Sequence, residues 1–352
     1  MKRTFFERRG PDARINLSSN ELIHPAVERL LDAVAREITP GLLRQYPRSR
    51  AVVDALSAYL HCDGDEFLVT PGSDTALRLV CGYFARRTGG RGEVILQQPN
   101  YPAWTETAAL HGLPLRPVPT TGLDQDAQAR ALIEAAAGSS GALIAVSAPN
   151  GPIGGRLTGE QLDRLAELAN ERGHLLVIDS CYQVFDGPLT AQLERRGANV
   201  LVIQSLSKSH ALAGARVAVL CGPTALLAQL AAVPLEHAVS APALVALTVA
   251  IDQHDQFAAI WRELREVRTE AADRLRSWGL PVAPSGGNFL SVQLPSADAA
   301  ARAAGALSRA GYRVRDLSGL TGLAGWLRFT IADTATTGRF LPVLGSVLEQ
   351  VR

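Results

Sequence analysis

The chain is short of lysine, of paired cysteines and of net charge. Only Lys2 and Lys208 are lysines, and the rest of its 35 basic residues are arginines. Its four cysteines form no C-x-x-C pair and have no histidine at metal-ligand spacing, which argues against a disulfide framework and predicts no bound metal. A net charge of +1 lacks the excess of positive charge that is typical of nucleic-acid-binding proteins. Small metabolites are therefore the expected partners, and nucleic acid is not.

Long apolar runs are also missing. No stretch approaches the roughly 18 uninterrupted apolar residues of a membrane span, and the first residues lack the apolar core of a signal peptide. No G-x-G-x-x-G follows a predicted strand, which argues against dinucleotide binding. We therefore expect a globular, cytoplasmic protein without a membrane partner. Its 352 residues favour two packed units, because single cores stop growing at roughly 250 to 300 residues.

The internal lysine follows a run of apolar residues. Val200 to Ile203 predicts a buried strand, and Lys208 comes shortly after it between Ser207 and Ser209, where a solvated surface charge is not expected. A lysine amine can lose its proton and form a Schiff base with an aldehyde, whereas a guanidinium stays protonated. Lys208 is therefore a candidate nucleophile.

An anion site is predicted beside this lysine. Ser205, Ser207 and Arg216 offer two hydroxyl donors and a fork of guanidinium donors, a set that suits a phosphate. A lysine that forms an imine beside a phosphate site predicts pyridoxal 5'-phosphate (PLP) as the cofactor. The segment from Ser205 to Arg216 resembles the cofactor-lysine signature of fold-type I PLP-dependent aminotransferases (class I/II), in particular the histidinol-phosphate aminotransferase branch.

The resemblance extends over most of the chain. Strand and helix patterns alternate, which predicts a mainly parallel sheet covered by helices. The resemblance implies an α/β fold with a large, mainly parallel-sheet PLP-binding domain at 40–255. It also implies a smaller, discontinuous α+β domain formed by 1–39 and 256–352. In that domain the pattern from Tyr312 to Asp316 predicts one strand.

A carboxylate is predicted at the end of a buried strand. Asp179 follows the continuous apolar run Leu175 to Ile178. A carboxylate at the pyridine nitrogen of PLP keeps that nitrogen protonated, so that the ring can accept electrons. The resemblance assigns this role to Asp179 and assigns Tyr182 to the cofactor's phenolic oxygen. It also implies that Trp104 stacks on the pyridine ring.

The turn from a short strand into a helix predicts a second part of the phosphate site. A helix N-terminus has free amide donors and the positive end of the helix dipole. The resemblance implies that Gly72, Ser73 and Asp74 bind the cofactor at this turn.

One segment departs from the family pattern. Ser147 to Gly155 resembles P-N-N-P-T-G, but alignment on Pro152 and Gly154 places Gly151 where the family has the asparagine that bonds the phenolic oxygen. Because that donor stabilises the phenolate, its loss predicts that the lysine–PLP imine titrates at higher pH than in an ordinary aminotransferase. Asn150 remains a candidate cofactor contact, since a shifted loop would let it compensate.

The resemblance also implies substrate and subunit contacts. Arg328 is expected to grip the substrate α-carboxylate by two parallel hydrogen bonds. Arg315 is expected to bind a substrate phosphate or another acid, and Asn20 to lie at the mouth of the active site. Tyr46 is expected to reach the cofactor phosphate of a neighbouring subunit, which would make a homodimer necessary for activity.

Together these expectations predict a transaminase with Lys208, Asp179 and Tyr182 as its catalytic residues. It would move an amino group between an amino acid or amino-alcohol phosphate and a 2-oxo acid through a Schiff base on Lys208, which then acts as the general base. Another carbanion reaction on the same fold, such as decarboxylation of threonine phosphate, stays open because of Gly151. A non-catalytic regulator is disfavoured, since the chain has no basic tract for DNA.

Overall fold

A computed structural model describes residues 14–48, 50–120, 123–188, 197–231 and 237–351. Up to residue 252 its helices and strands are, in chain order, β1 (Ile15–Asn16), α1 (Pro25–Glu37), α2 (Pro40–Arg44), α3 (Arg50–Leu60), β2 (Phe67–Thr70), α4 (Ser73–Thr88), β3 (Val94–Gln98), α5 (Pro102–Leu110), β4 (Leu115–Pro119), α6 (Gln125–Ala137), β5 (Leu143–Ser147), α7 (Gly159–Arg172), β6 (Leu175–Asp179), β7 (Val200–Ser205), α8 (Leu206–Ser209), β8 (Ala218–Cys221), α9 (Thr224–Leu230) and α10 (Ala241–Asp252). After it follow α11 (His254–Ser277), β9 (Phe289–Gln293), α12 (Ala297–Arg309), β10 (Tyr312–Arg313), β11 (Arg315–Asp316), β12 (Trp326–Thr330) and α13 (Thr334–Val351). None of the helices in the described ranges is long and apolar enough to cross a membrane.

Seven strands form the large sheet, in the order β2-β8-β7-β6-β5-β3-β4. β8 runs antiparallel to its neighbours β7 and β2, and the other pairings are parallel. The predicted α/β class with a mainly parallel sheet is thereby confirmed.

Both faces of this sheet are buried. In β6 the side chains of Leu175 and Val177 belong to one apolar cluster, and those of Leu176 and Ile178 belong to another. Successive side chains of a strand point to opposite faces, so a strand that is covered on both sides needs a continuous apolar run. Residues of α4, α5 and α9 contribute to the first cluster, and residues of α6 and α7 to the second.

Six of the seven strands run in the same direction and end at the same edge of the sheet. β3, β4, β5, β6 and β7 are parallel to one another, and β2 has the same direction because β8 runs antiparallel to both β2 and β7. In register, Asp179 pairs with Ser147 on one side and with Ile203 on the other. The segments that follow these strands therefore meet at one edge, which is where α/β sheets bind ligands.

Two small sheets use the N-terminal segment and the C-terminal third. β1 pairs in parallel with β10, and β11, β12 and β9 form an antiparallel sheet. The single strand predicted from Tyr312 to Asp316 is therefore wrong. The buried Val314 separates two short strands that bond to different partners. The β1–β10 pairing supports a discontinuous smaller domain, although the limits 1–39, 40–255 and 256–352 stay a prediction.

Candidate active site

A cleft of about 400 Å³ lies at the edge where the parallel strands end. The segments that follow β2, β3, β5, β6 and β7 form one wall, and residues near β1, β11 and β12 form the other. The predicted site residues that line the cleft are Asn20, Ser73, Asp74, Asp179, Tyr182, Ser205, Ser207, Lys208, Arg216, Arg315 and Arg328.

Lys208 lies in the short helix α8, directly after β7. Its Nζ donates a 2.7 Å hydrogen bond to the carbonyl oxygen of Ser19. Burial lowers the pKa of Lys208, and the charges of two nearby arginines add to this effect, although Glu21 opposes it. A lowered pKa makes the neutral amine more accessible, and the neutral amine is both the nucleophile and the base.

The turn from β2 into α4 brings a guanidinium group against a helix N-terminus. Gly72 has φ of +78°, and a Cβ at this position would lie 2.7 Å from Nη2 of Arg216. Arg216 also has a positive φ, of +54°, and donates to Oδ2 of Asp74 at 3.2 Å. Glycine at position 72 thus allows the guanidinium to lie beside the free amides of the first turn.

Three hydroxyl groups complete this end of the cleft, those of Ser73, Ser205 and Ser207. Ser205 and Ser207 are buried, and Oγ of Ser205 accepts a 3.3 Å hydrogen bond from the amide of Ser207. Helix amides, hydroxyl groups and one guanidinium group therefore converge on a space that suits a phosphate.

Asp179 is buried in the wall of the cleft. One of its carboxylate oxygens accepts a 3.1 Å hydrogen bond from the amide of Cys181. Burial raises the pKa of Asp179, whereas the bonds from Cys181 act in the opposite direction. A buried carboxylate is stabilised when a cationic N–H group binds to it, so Asp179 suits a protonated ring nitrogen. Cys181 also lines the cleft, although no sequence pattern indicated it.

Tyr182 contacts residues from two distant segments. Its hydroxyl oxygen accepts a 3.0 Å hydrogen bond from Nδ2 of Asn20. A Cβ at Gly151 would lie 3.2 Å from Cε2 of Tyr182. Asn150 does not line the cleft, because its buried side chain donates to the carbonyl oxygen of Pro99 at 3.1 Å. The expectation that Asn150 contacts the cofactor is corrected accordingly.

Trp104 does not line the cleft either. Its side chain is fully buried among the apolar residues on one face of the sheet. Tyr101, three residues earlier and just before α5, lines the cleft and is 44% exposed. Burial raises the pKa of Tyr101, and the carboxylate of Asp74 adds to this rise. The predicted stacking of Trp104 is therefore wrong for this geometry, although the motif that suggested it also contains Tyr101.

Two arginines face the cleft from directly opposed positions on β11 and β12. Arg328 donates through Nη2 to the carbonyl oxygen of Ser18 at 2.8 Å, and its guanidinium lies 5.2 Å from the ring centroid of Phe289. Its Nε is buried and has no hydrogen-bond partner among the described residues. Burial lowers the pKa of Arg328, and the charge of Arg315 adds to this effect. An anion between the two groups would relieve their repulsion.

Tyr46 lies on the surface, outside the cleft of its own chain. It is 79% exposed, and its ring lies 4.7 Å from that of His237, centroid to centroid. An exposed position is compatible with a contact to a second subunit, so that role stays a prediction.

Comparison with known proteins agrees with this geometry. The sequence matches the family described as "Aminotransferase class I and II" over residues 13–341. The histidinol-phosphate aminotransferase of Acidovorax ebreus (strain TPSY) is 32% identical over 327 residues, which cover 90% of this chain and 86% of that protein. The chain belongs to the class I and II aminotransferases. It is a PLP-dependent transaminase of fold type I.

Solved structures resemble this aminotransferase in fold. Histidinol-phosphate aminotransferase from Sinorhizobium meliloti, in complex with pyridoxal-5'-phosphate, superposes with a TM-score of 0.80 at 21% identity, over 96% of this chain and 92% of that one. L-threonine-O-3-phosphate decarboxylase from Porphyromonas gingivalis gives 0.79 at 19% identity, over 95% and 99% of the two chains. At these identities the likeness concerns the fold alone.

The cleft of this aminotransferase fits PLP at three points. The amine of Lys208 is suited to the aldehyde, and the buried carboxylate of Asp179 is suited to the ring nitrogen. The part of the cleft lined by the hydroxyl groups of Ser73, Ser205 and Ser207 and by the guanidinium of Arg216 is suited to the phosphate.

Proposed function

We propose that this aminotransferase moves an amino group between an amino acid or amino-alcohol phosphate and a 2-oxo acid, with PLP held by a Schiff base to Lys208. One observation carries the proposal. In a chain with only one other lysine, Lys208 lies in the same cleft as a buried aspartate and an anion site. When bound, PLP draws electrons from the bonds at the substrate Cα and carries the amino group between the two half-reactions.

Lys208 is proposed to act as the base once the substrate amine has displaced it. Nζ of Lys208 would accept the proton that the substrate Cα loses and hold it for the later return step. Its lowered pKa supports this role, because the free amine is then neutral more often. The bond from Nζ to the carbonyl oxygen of Ser19 fixes the direction of the side chain.

The other cleft residues are proposed to hold and orient the cofactor. Asp179 keeps a proton on the ring nitrogen, and Tyr182 donates to the phenolic oxygen. Four further groups bind the phosphate, namely the hydroxyls of Ser73, Ser205 and Ser207 and the guanidinium of Arg216. Tyr101 is proposed to cover a ring face in place of Trp104, because it is the aromatic side chain of that motif that lines the cleft.

The proposed substrates are amino donors with an acidic end. Arg328 suits a carboxylate, because its guanidinium lines the cleft and its Nε has no hydrogen-bond partner among the described residues. Arg315 adds a second positive charge that a phosphate or a second carboxylate neutralises. Phosphorylated amino alcohols are thus favoured over neutral amines, in agreement with the histidinol-phosphate aminotransferase of Xanthomonas euvesicatoria pv. vesicatoria (strain 85-10), which is 31% identical over 88% of this chain and 86% of its own length.

A homodimer is part of the proposal. Tyr46 is exposed together with Leu43 and Ile38, at 79%, 66% and 38%. A second copy of the chain would cover this apolar surface and bring Tyr46 to the cofactor phosphate of its partner.

Decarboxylation is the second candidate reaction. Gly151 favours it, because the family's asparagine is missing at that position and the electronics of the bound ring would differ. Release of carbon dioxide from O-phosphothreonine, without formation of a 2-oxo product, would identify it.

The proposal is tested by borohydride reduction of the PLP-loaded enzyme. We expect label on the peptide that contains Lys208, in the wild type and in Lys2→Arg, and none in Lys208→Ala. A screen of amino donors, with histidinol phosphate, aromatic amino acids and O-phosphothreonine, then follows conversion of the cofactor to its aminated form. A wild-type enzyme that takes no label after incubation with PLP would overturn the proposal.

A further inference from the structure

Asn20 is held in an unusual backbone conformation by distant residues. It is buried and has φ of +57°, in the left-handed region that asparagine tolerates better than most residues. Its amide donates to Oγ1 of Thr330 at 3.0 Å, and its carbonyl oxygen accepts from Nδ2 of Asn288 at 3.1 Å. The backbone is therefore clamped on both sides, and the direction of the side chain is set.

That side chain points at Tyr182. Nδ2 of Asn20 donates to the tyrosine hydroxyl at 3.0 Å. An amide N–H can only donate, so the hydroxyl oxygen accepts and its own proton stays available for a different acceptor. Among the described residues, Asn20 is the one hydrogen-bond partner of this hydroxyl group. The ring itself is held edge-on against Phe289, with centroids 5.2 Å apart.

Gly151 leaves room for this arrangement. A Cβ at position 151 would lie 3.2 Å from Cε2 and 3.7 Å from the hydroxyl oxygen of Tyr182. The first distance is tighter than ordinary van der Waals contact, so a larger residue would push against the ring. Tyr182 thus occupies the space from which a side chain at 151 would approach the cofactor.

We propose that Asn20 is a positioning residue which, acting through the hydroxyl of Tyr182, supplies part of the donor function that is missing at Gly151. The proposal rests on the PLP function proposed above. A hydroxyl that accepts one hydrogen bond becomes a stronger donor in the next. The chain from Asn20 through Tyr182 therefore stabilises negative charge on the phenolic oxygen of the bound cofactor.

The charges around Tyr182 are compatible with this role. Burial raises the pKa of its phenol, while Arg328 and the bond from Asn20 lower it. Asp179 and Cys181 face the phenol from the end of β6 and act in the raising direction. Asn20 is the neutral donor of this set, so its removal changes the hydrogen bond without changing the charge of the cleft.

The test is a pH titration of the visible band of bound PLP. Asn20→Gly removes the side chain, and glycine adopts the left-handed backbone without strain. We expect the titration midpoint to rise by roughly half to one pH unit, the size of one hydrogen bond between neutral groups. In a Tyr182→Phe background the same replacement should leave the midpoint unchanged, because the hydroxyl group through which Asn20 acts on the cofactor is absent.

Two further variants serve as a second test and a control. Asn20→Ser is too short to reach the phenol and should repeat the rise if Asn20→Gly folds poorly. His61→Gly, at another left-handed position (φ +53°) outside the cleft, should leave the midpoint at the wild-type value. An equal rise with and without the Tyr182 hydroxyl, or no rise, would overturn the role of Asn20. A wild type without the band would instead overturn the proposed function.

Discussion

At the scale of single residues, the cleft depends on charged groups that are kept from water. Lys208 and Arg328 are cations whose pKa values are lowered by burial, and Asp179 is an acid whose pKa is raised by burial. Each shift means that burial disfavours the charged form of the side chain, which water would stabilise. Groups of this kind are kept where a ligand or a reaction uses them.

The lowered pKa of Lys208 predicts how stability changes with pH. The unfolded chain holds the lysine proton at pH values where the folded chain has begun to lose it, so stability rises as pH increases through that window. Lys208→Met has no titrating group at this position, so its stability lacks this increase with pH. In the absence of PLP, we expect the difference in unfolding free energy to shift in favour of the wild type between pH 7 and about pH 10. Denaturant unfolding at the two pH values measures it, and a constant difference would contradict the buried state of the amine.

The opposed arginines predict a dependence on substrate charge. Arg315→Gln should raise KM about tenfold or more for a phosphorylated amino donor and much less for a donor with a single carboxylate, because a charged hydrogen bond is lost only in the first case. Steady-state kinetics with both donors checks this. Arg313→Gln is the control, since Arg313 does not line the cleft. Equal effects on the KM of both donors would mean that Arg315 contributes only a general positive charge and does not bind the phosphate directly.

At the scale of elements, strand ends and helix starts determine what the cleft can bind. The turn from β2 into α4 holds Arg216 only because Gly72 lacks a Cβ. The start of α5 likewise separates two aromatic residues: Tyr101, just before the helix, lines the cleft, and Trp104, in its first turn, is buried in the core. In both cases a shift of one or a few positions at the end of a strand or helix decides whether a side chain lines the cleft or packs in the core.

Gly72→Ala should weaken PLP binding by about tenfold or more. The new Cβ would displace the guanidinium of Arg216 from the anion site, and the residue would also carry roughly 1–3 kcal/mol of backbone strain, because φ of +78° with ψ of 165° is essentially restricted to glycine. Gly90→Ala is the control, because Gly90 also has a positive φ, of +74°, and no described atom lies within 4 Å of its Cβ position. Equilibrium binding and thermal unfolding should show a stability loss in both variants and an affinity loss only in Gly72→Ala.

Substitutions at Trp104 and Tyr101 should affect different properties, the first mainly stability and the second mainly cofactor binding. Trp104→Phe leaves a cavity in a packed cluster and should cost about 1–3 kcal/mol of unfolding free energy with little change in PLP affinity. Tyr101→Ala should reduce PLP affinity with a smaller loss of stability, since that side chain is 44% exposed. The opposite pattern would restore the stacking role to Trp104.

At the scale of the whole molecule, the cleft is assembled from distant parts of the chain. The end of β7 supplies Lys208, the segment after β1 supplies the carbonyl of Ser19, and β12 supplies Arg328. The pairing of β1 with β10 ties the N-terminal segment to the C-terminal third, so that both contribute to one wall. The proposed dimer would add a further part, Tyr46 from a second chain.

Mixing two inactive variants tests the dimer. Tyr46→Ala and Lys208→Ala should each have little activity as homodimers. In a mixed dimer one site combines an intact Lys208 with an intact Tyr46 from the other subunit, so an equal mixture should recover about a quarter of wild-type activity after subunit exchange. Activity assays before and after exchange measure it. A mixture without recovery would place Tyr46 outside the neighbouring site.

Much of the fold could be predicted from local patterns. Continuous apolar runs such as Leu175 to Ile178 predicted strands buried on both faces, because that is the only environment that accepts them. Asp179 could be placed at a strand end for the same reason, since a polar residue directly after a buried run has to lie at the edge of the sheet. Lys208 could be placed near that edge, because it comes shortly after the buried run Val200 to Ile203. These inferences depend only on neighbours in sequence.

The sequence by itself determined the α/β class, the strand ends and the candidate residues at them, because hydrophobic patterning acts over a few residues. Only the tertiary structure decided that Tyr101 rather than Trp104 faces the cleft, that Arg315 and Arg328 are directly opposed, and that Asn20 bonds the hydroxyl of Tyr182. Each of these depends on the register of strands, the direction of a helix face or the packing of segments far apart in the chain. Such contacts are set by how the whole core closes, which no local pattern contains.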